Sequence, residues 1–295
     1  MPLFATLSAL AIVIAWGINF VVIKLGVHEI PPLALLAARF FIAGLVFIPF
    51  MKWPGLRQAA MIAGVGLGMG VLHQGTLFVG LEIMPASLMS LLLQTQIIMA
   101  TFIGWLFLKE KIGWRTWAGI GIGLIGVAIL IGKPTLDAPF IGYIYGLISA
   151  FFIALTYVQM KRVSDVHGPT YIALLSLPIA PLIAIMSITL EGTTWITDET
   201  YDINWVILGG SLFYQAILIS ISHIYWQRLM RDYPLSQVLP WTLLIPVFGV
   251  AAAIPVFGES LTWPIILGGG LTLAGISIIT FRKIKKSESI NETAN

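Results

Sequence analysis

Apolar residues fall in ten long runs, approximately Leu3–Ile23, Leu33–Phe50, Ala59–Leu81, Ala86–Leu108, Trp114–Ile131, Phe140–Met160, Tyr171–Thr189, Trp205–Tyr225, Ser236–Val256 and Trp263–Phe281. A bilayer-crossing helix needs about 20 such residues, and each run is of that order. Polar residues collect between the runs, in short connections rich in Pro, Gly and charge. The longest connection, Glu191 to Asn204, is acidic, and a polar tail from Arg282 to Asn295 reads as disordered. The first run follows no basic leader and is succeeded by others, so it reads as a span rather than a removed signal. The pattern predicts an all-α polytopic membrane protein with ten transmembrane helices.

The pattern also repeats. Pro85, Ser87, Glu110, Trp114, Gly119, Gly121, Leu124 and Gly126 recur 149 positions later as Pro234, Ser236, Glu259, Trp263, Gly268, Gly270, Leu273 and Gly275. Proline, glutamate and tryptophan are scarce in this chain and carry most of the weight. A repeat of this length means one unit used twice. The first spans match more weakly at a shorter offset, with Phe20, Val21 and Lys24 against Tyr157, Val158 and Lys161. Pro31 and Pro169 open the second spans of each half. The expected organisation is a first five-helix repeat over 1–136, a second over 137–281, and the tail at 282–295.

Charge sets the expected orientation. With both termini cytoplasmic, 13 of the 16 lysines and arginines lie on the cytoplasmic side; Lys24 and Lys133 sit at outer ends and Arg39 is within a span. The positive-inside rule selects this arrangement. Five spans per unit is an odd number, so the halves cross in opposite senses. The repeat agrees: Lys109 and Lys111 inside correspond to Gly258 and Ser260 outside. An inverted repeat of this kind is a ground plan of secondary transporters, whose substrate site lies between the halves near mid-membrane.

Composition supports this reading: 58% of the residues are hydrophobic and 10% charged, and mean hydropathy is +0.97. Ordinary globular chains are about 25% charged. There is no cysteine, which excludes disulfides and thiolate metal sites, and the net charge of +3 comes with no basic patch interleaved with aromatics, so nucleic acid is not an expected partner. No metal or cofactor is expected. The four histidines, His28, His73, His167 and His223, are scattered without His-Glu-x-x-His spacing.

Small and polar residues inside the spans supply the candidate chemistry. Glycines at Gly64, Gly66, Gly68, Gly70, at Gly119, Gly121, Gly123 and at Gly268 to Gly270 suit close helix packing, read here as packing within one chain rather than a dimer interface. Arg39 lies about a third of the way into the second span. A guanidinium there costs about 2.5–3.5 kcal/mol on insertion scales. No Asp or Glu lies deep in any span to pair with it, so backbone carbonyls, water or a substrate carboxylate must serve. Ser87, Ser90, Gln94 and Thr101 share one face of the fourth span; Ser211, Tyr214, Gln215, Ser222 and Tyr225 share one face of the eighth. His73 and Gln74 sit on the third span, and Trp16 and Asn19 share a face of the first. Each stripe alone is consistent with interhelical hydrogen bonding; stripes in both halves point to a wet central cavity.

At Trp16 to Gly26 the chain reads WGINFVVIKLG, followed by the Pro-Pro-Leu of Pro31 to Leu33 and by Arg39-Phe40. With the ten spans, the two repeats and the Leu-Lys-Glu and Gly-Glu after the fourth and ninth spans, the chain resembles the EamA branch of the drug/metabolite transporter superfamily. The first-span motif is similar to that of bacterial exporters of cysteine-pathway metabolites and other amino acids. The resemblance implies efflux of small metabolites by alternating access, with Trp16, Asn19 and Arg39 near the cavity. The lack of deep acidic residues argues against a carboxylate proton relay.

The expected protein is a carrier in the cytoplasmic membrane that exports amino acids or related metabolites. Arg39 would receive a carboxylate. Asn19, His73, Gln74, Gln94 and Gln215 would offer hydrogen bonds, and Trp16, Tyr157, Tyr214 and Trp241 would shape the cavity. The alternatives are a channel or facilitator, or a membrane-embedded enzyme using His73 or His223.

Overall fold

The computed structural model of the chain describes residues 1–108, 112–132, 138–160, 166–198, 202–233 and 235–294, with the backbone alone at 108, 157–160, 235–236, 239 and 282–294. Among these residues nine helices are long and apolar enough to cross a membrane: α1 Leu3–Glu29, α2 Pro32–Phe50, α3 Leu56–Ile83, α4 Ala86–Phe107, α5 Trp114–Ile131, α7 Gly168–Leu190, α8 Trp205–Asp232, α9 Pro240–Phe257 and α10 Trp263–Phe281. A tenth long helix, α6, spans Phe140–Met160. The molecule is an all-helical, multi-pass membrane protein.

Three helix ends share one cause. α1 runs six residues beyond the expected Ile23, to Glu29, because no breaker intervenes before Ile30. Ile30, Met84 and Tyr233 each precede a proline and adopt extended backbone, at φ −142°, −138° and −131°. Proline disfavours helix in the residue before it. α8 accordingly continues past the expected Tyr225 to Asp232. The tail departs from expectation: α10 continues as helix to Ala294 rather than ending in a disordered segment. Extending an existing helix avoids the nucleation cost that an isolated tail would meet.

The helices pair by repeat. α5 packs most extensively on α10, and α2 on α7. Each pair joins the same member of the two halves. α1 packs on α9 as α4 packs on α6, and α8 packs on α1 as α3 packs on α6. The α5–α10 crossing is built on repeated glycines. A Cβ on Gly119 would lie 2.8 Å from the Gly275 carbonyl oxygen, and one on Gly268 would lie 2.8 Å from that of Gly126. Small residues allow this backbone approach. Gly66 and Gly70 meet the Ile179 side chain of α7, and Gly66 also the Leu175 carbonyl, whereas a Cβ on Gly64, Gly121 or Gly270 would meet no described residue within 4 Å. The expectation of packing thus fails for those three. Trp114, Trp205 and Trp263 begin their helices exposed, as do the Leu and Phe side chains around the bundle. Such aromatics at helix ends suit a membrane interface.

At the end of the bundle that holds Pro31 and Pro85, carboxylates join the halves. α2 and α4 carry proline at their N-caps, so neither has a capping side chain. Glu191 accepts from the backbone N–H groups of Leu33 (2.7 Å) and Ala34 (3.2 Å). Glu259 accepts from those of Ala86 (2.8 Å) and Ser87 (3.0 Å), and also from the Ser87 hydroxyl. An anion is favoured at a helix N-terminus, where N–H groups lack partners. Glu110, the repeat counterpart of Glu259, lies outside the described residues, as do Lys161 and Pro234. Glu259→Ala is expected to cost about 1–2 kcal/mol by loss of a cap, read as a lower Tm of the purified protein, whereas Asp232→Ala at an exposed site should leave Tm unchanged.

Candidate functional site

The polar residues of the spans meet where two helices depart from α geometry. α3 is π-helical over Leu67–Gln74, and α8 over Tyr214–Leu218. Residues 67–69 become 216–218 under the 149 offset, so the segments overlap in the repeat. A π turn inserts one residue and rotates the side chains that follow it, a distortion common at functional sites. The segment in α8 touches both α1 and α2.

Arg39, on α2, is 7% exposed. Its Nη1 donates to Gln74 Oε1, at the end of the α3 π segment. The guanidinium also lies over the Phe40 and Phe78 rings, at 5.3 and 5.9 Å from their centroids. Cation–π contacts of this kind gain strength when desolvated. Among the described residues Arg39 meets no carboxylate. The charge is thus held by neutral groups, and Gln74 takes up one of its five N–H donors.

His73 is buried beside Gln74. Its Nδ1 lies 2.8 Å from Ser149 Oγ and 3.1 Å from the Ser149 carbonyl. The Ser149 hydroxyl donates to the His73 carbonyl at 3.0 Å, so its oxygen, like the Ser149 carbonyl, is set to accept from Nδ1. His223 is set the same way, its Nδ1 2.7 Å from the Ile219 carbonyl.

The facing surfaces of α1 and α8 complete the cluster. Tyr214 donates from its hydroxyl to the Ala15 carbonyl at 2.9 Å, and Ser211 to the Val22 carbonyl at 2.9 Å. Gln215 Nε2 donates to Ser211 Oγ at 2.8 Å. Ala15, Asn19, Val22 and Gly26 fall at helical spacing on one face of α1. A Cβ at Gly26 would itself meet the Ser211 side chain. Asn19 therefore lies within the face that meets α8. Trp16 donates from Nε1 to Ser222 Oγ at 2.8 Å, and its ring lies 5.0 Å from both the His223 and Trp226 rings. Trp16, Trp226 and Trp241 pack together around Ala5, Ala9 and Ile12.

The structure thus forms two polar groups, Arg39, His73 and Gln74 on α2 and α3 and Trp16, Asn19, Tyr214 and Gln215 where α1 meets α8, with the α8 π segment touching α2 as well and Trp241 in the same apolar cluster as Trp16. Gln94 has a different setting. Its Nε2 donates at 3.4 Å to the Thr242 carbonyl on α9. That carbonyl also accepts the Ile245 N–H, so Gln94 adds a second donor to it, at a break in α4 that matches a 3₁₀ stretch of α9, Leu239–Leu244. Tyr225 points outward, 44% exposed, and the Tyr157 side chain lies outside the described residues. Ser149, Phe78 and Trp226 were missed by the sequence reading. Phe78 carries no polar signal, and Ser149 is a lone serine in an apolar span. A surface groove of about 300 Å³ between α4, α9 and α10 is apolar and separate from this cluster. Among the described residues no three His, Asp or Glu side chains gather in a way that could hold a metal ion.

Comparison with known proteins agrees with this architecture. A Salmonella typhimurium protein named "Probable amino-acid metabolite efflux pump" is 32% identical over 284 residues, covering 92% of this chain and 93% of that protein. A protein of the same name from Escherichia coli is 29% identical, over 92% and 93%. An Escherichia coli protein named "Uncharacterized inner membrane transporter YedA" is 26% identical, over 96% and 92%. A solved crystal structure superposes with a TM-score of 0.63 at 18% identity, covering 93% of this chain and 94% of that one, and shares the fold. The EamA-like transporter family matches twice, over residues 3–132 and 140–281. The ten helices are therefore two copies of one family unit, and the chain belongs to the EamA-like transporter family.

Proposed function

We propose that this transporter exports amino acids or related small metabolites across the cytoplasmic membrane by alternating access. The observation that carries this reading is Arg39. It is a buried guanidinium whose partners among the described residues are Gln74 and two aromatic rings. A substrate carboxylate offers the two parallel acceptors that a guanidinium fork matches. The names of the Salmonella and Escherichia relatives point to the same class of cargo. His73, Gln74, Asn19, Gln94 and Gln215 remain the proposed hydrogen-bonding groups, and Trp16, Tyr157, Tyr214 and Trp241 the proposed walls. The proposed units are 1–136 and 137–281, followed by 282–295.

The end of the bundle bearing Glu191 and Glu259 is assigned to the outer side, with both termini cytoplasmic, on the distribution of lysine and arginine. In this arrangement the glutamate caps hold the outer side closed, and outward opening requires the halves to part there. Reporter fusions after Lys286 and within Thr193–Asn204 are expected to report opposite sides of the membrane. A cytoplasmic signal from the second fusion would reverse the assignment. Transport itself is tested in proteoliposomes with a labelled amino-acid panel. Saturable uptake with counterflow is expected; conductance without saturation would indicate a channel, and product formation without net movement an enzyme.

A further inference from the structure

Two buried oxygens at the α1–α8 contact accept no hydrogen bond from any described residue: Asn19 Oδ1 and Gln215 Oε1. The orientation of Gln215, which is fully buried, follows from its neighbours. The single proton of the Ser211 hydroxyl goes to the Val22 carbonyl. Ser211 Oγ can then only accept from Gln215, so the amide NH₂ faces Ser211 and the carbonyl oxygen is turned away from it. Gln215 is four residues from Ser211, toward Tyr214, and Asn19 lies between Val22 and Ala15, the residues that Ser211 and Tyr214 engage. The two unpartnered acceptors therefore occupy the same stretch of the interface. A buried acceptor left without a donor is costly and calls for one.

We infer that Asn19 Oδ1 and Gln215 Oε1 receive the ammonium group of a zwitterionic α-amino acid whose carboxylate is held by Arg39. The inference rests on the carboxylate role proposed above and adds the opposite pole. The arrangement divides the chemistry by element. Arg39 on α2 presents donors only; Asn19 and Gln215 present acceptors. The π segment that bears Gln215 packs against both α1, which carries Asn19, and α2, which carries Arg39. An α-amino acid carries an acceptor group and a three-donor group on one carbon, and it answers both poles at once. A simple carboxylic acid satisfies Arg39 and leaves both oxygens unpartnered. A site built to hydrogen-bond a ligand N–H discriminates strongly against the analogue that lacks it.

The test uses the purified full chain in nanodiscs. The standard amino acids are screened for binding, and the tightest binder is compared with its des-amino analogue on wild type, Gln215→Leu, Asn19→Ala and Arg39→Lys. Wild type is expected to prefer the amino acid at least tenfold. Gln215→Leu and Asn19→Ala should each weaken the amino acid about tenfold and shift the des-amino acid by less than twofold. Arg39→Lys should weaken both ligands alike. Asn19→Ala covers the case in which Gln215→Leu misfolds, because Asn19 Oδ1 accepts no hydrogen bond from any described residue. Equal losses for both ligands in the Asn19 and Gln215 variants, or a retained preference for the amine, would overturn the ammonium assignment and leave the Arg39 reading intact. No binding of any amino acid to folded wild type would instead overturn the substrate class, and this inference with it.

Discussion

Gly119→Ala and Gly268→Ala are each expected to lower stability by about 1–3 kcal/mol, the usual range for overpacking a close contact. A Cβ at either site meets a backbone carbonyl of the facing helix at 2.8 Å, and backbone cannot rotate away as a side chain can. The α5 and α10 axes must then separate, and theirs is the most extensive helix contact in the molecule. Leucine at either position should be worse. Gly121→Ala and Gly270→Ala provide the control, since a Cβ at those positions meets nothing within 4 Å. Alanine is favoured over glycine inside a helix by about 0.5–1 kcal/mol, so these two changes should be neutral or slightly stabilising. Melting temperatures of the four purified variants decide the matter. Equal losses at all four positions would mean that the repeated glycines act through helix propensity rather than through the crossing.

The second large effect concerns Arg39. Arg39→Lys is expected to weaken substrate binding at least tenfold, about 1.4 kcal/mol, because an ammonium is a point charge and cannot make the bidentate contact. Lysine can still donate to Gln74, so the protein should insert and fold. Arg39→Gln, without charge, should lose more affinity. The competing account makes Arg39 a structural tie between α2 and α3 through Gln74, with Phe40 and Phe78 as its seat. On that account both variants lose melting temperature first and affinity only in proportion. Gln74→Leu, measured beside them, separates the accounts further. If the tie matters more than the charge, Gln74→Leu should destabilise as much as Arg39→Gln. Unchanged affinity in a well-folded Arg39→Lys protein would refute the carboxylate role.

Much of the architecture could be read from the chain because a membrane imposes one-dimensional rules. A span must satisfy its own backbone, so it is helical and about 20 residues long. The ten runs, the two family-sized halves and the starts of α5, α6, α8 and α10 follow from that constraint and from the 149-residue repeat. Helix ends that rest on a local covalent effect were equally legible in principle: Ile30, Met84 and Tyr233 stop helices because proline follows each of them. Arg39 could be singled out because an uncompensated charge in a span is costly wherever its partner lies. The polar residues Asn19, Gln74 and Gln215 could be marked as interior for the same reason.

What each of those residues touches is a property of pairs of helices, and no local pattern encodes it. Gly119 and Gly121 are alike in sequence, two residues apart on one helix, yet one abuts a facing backbone and the other faces nothing. Gln94 and Gln215 look equivalent, but the first donates to a backbone carbonyl of another helix, while the second keeps an oxygen that accepts from no described residue. The sequence carries no motif for the π segments of α3 and α8. Glu191 and Glu259 read as loop charges until the fold sets them on helix ends capped only by proline. The chain alone determined that this is a duplicated, ten-span membrane protein with one buried arginine, because burial and periodicity act along the chain. Only the tertiary structure decided which donors and acceptors are left free at its centre, because that depends on which faces of distant helices meet.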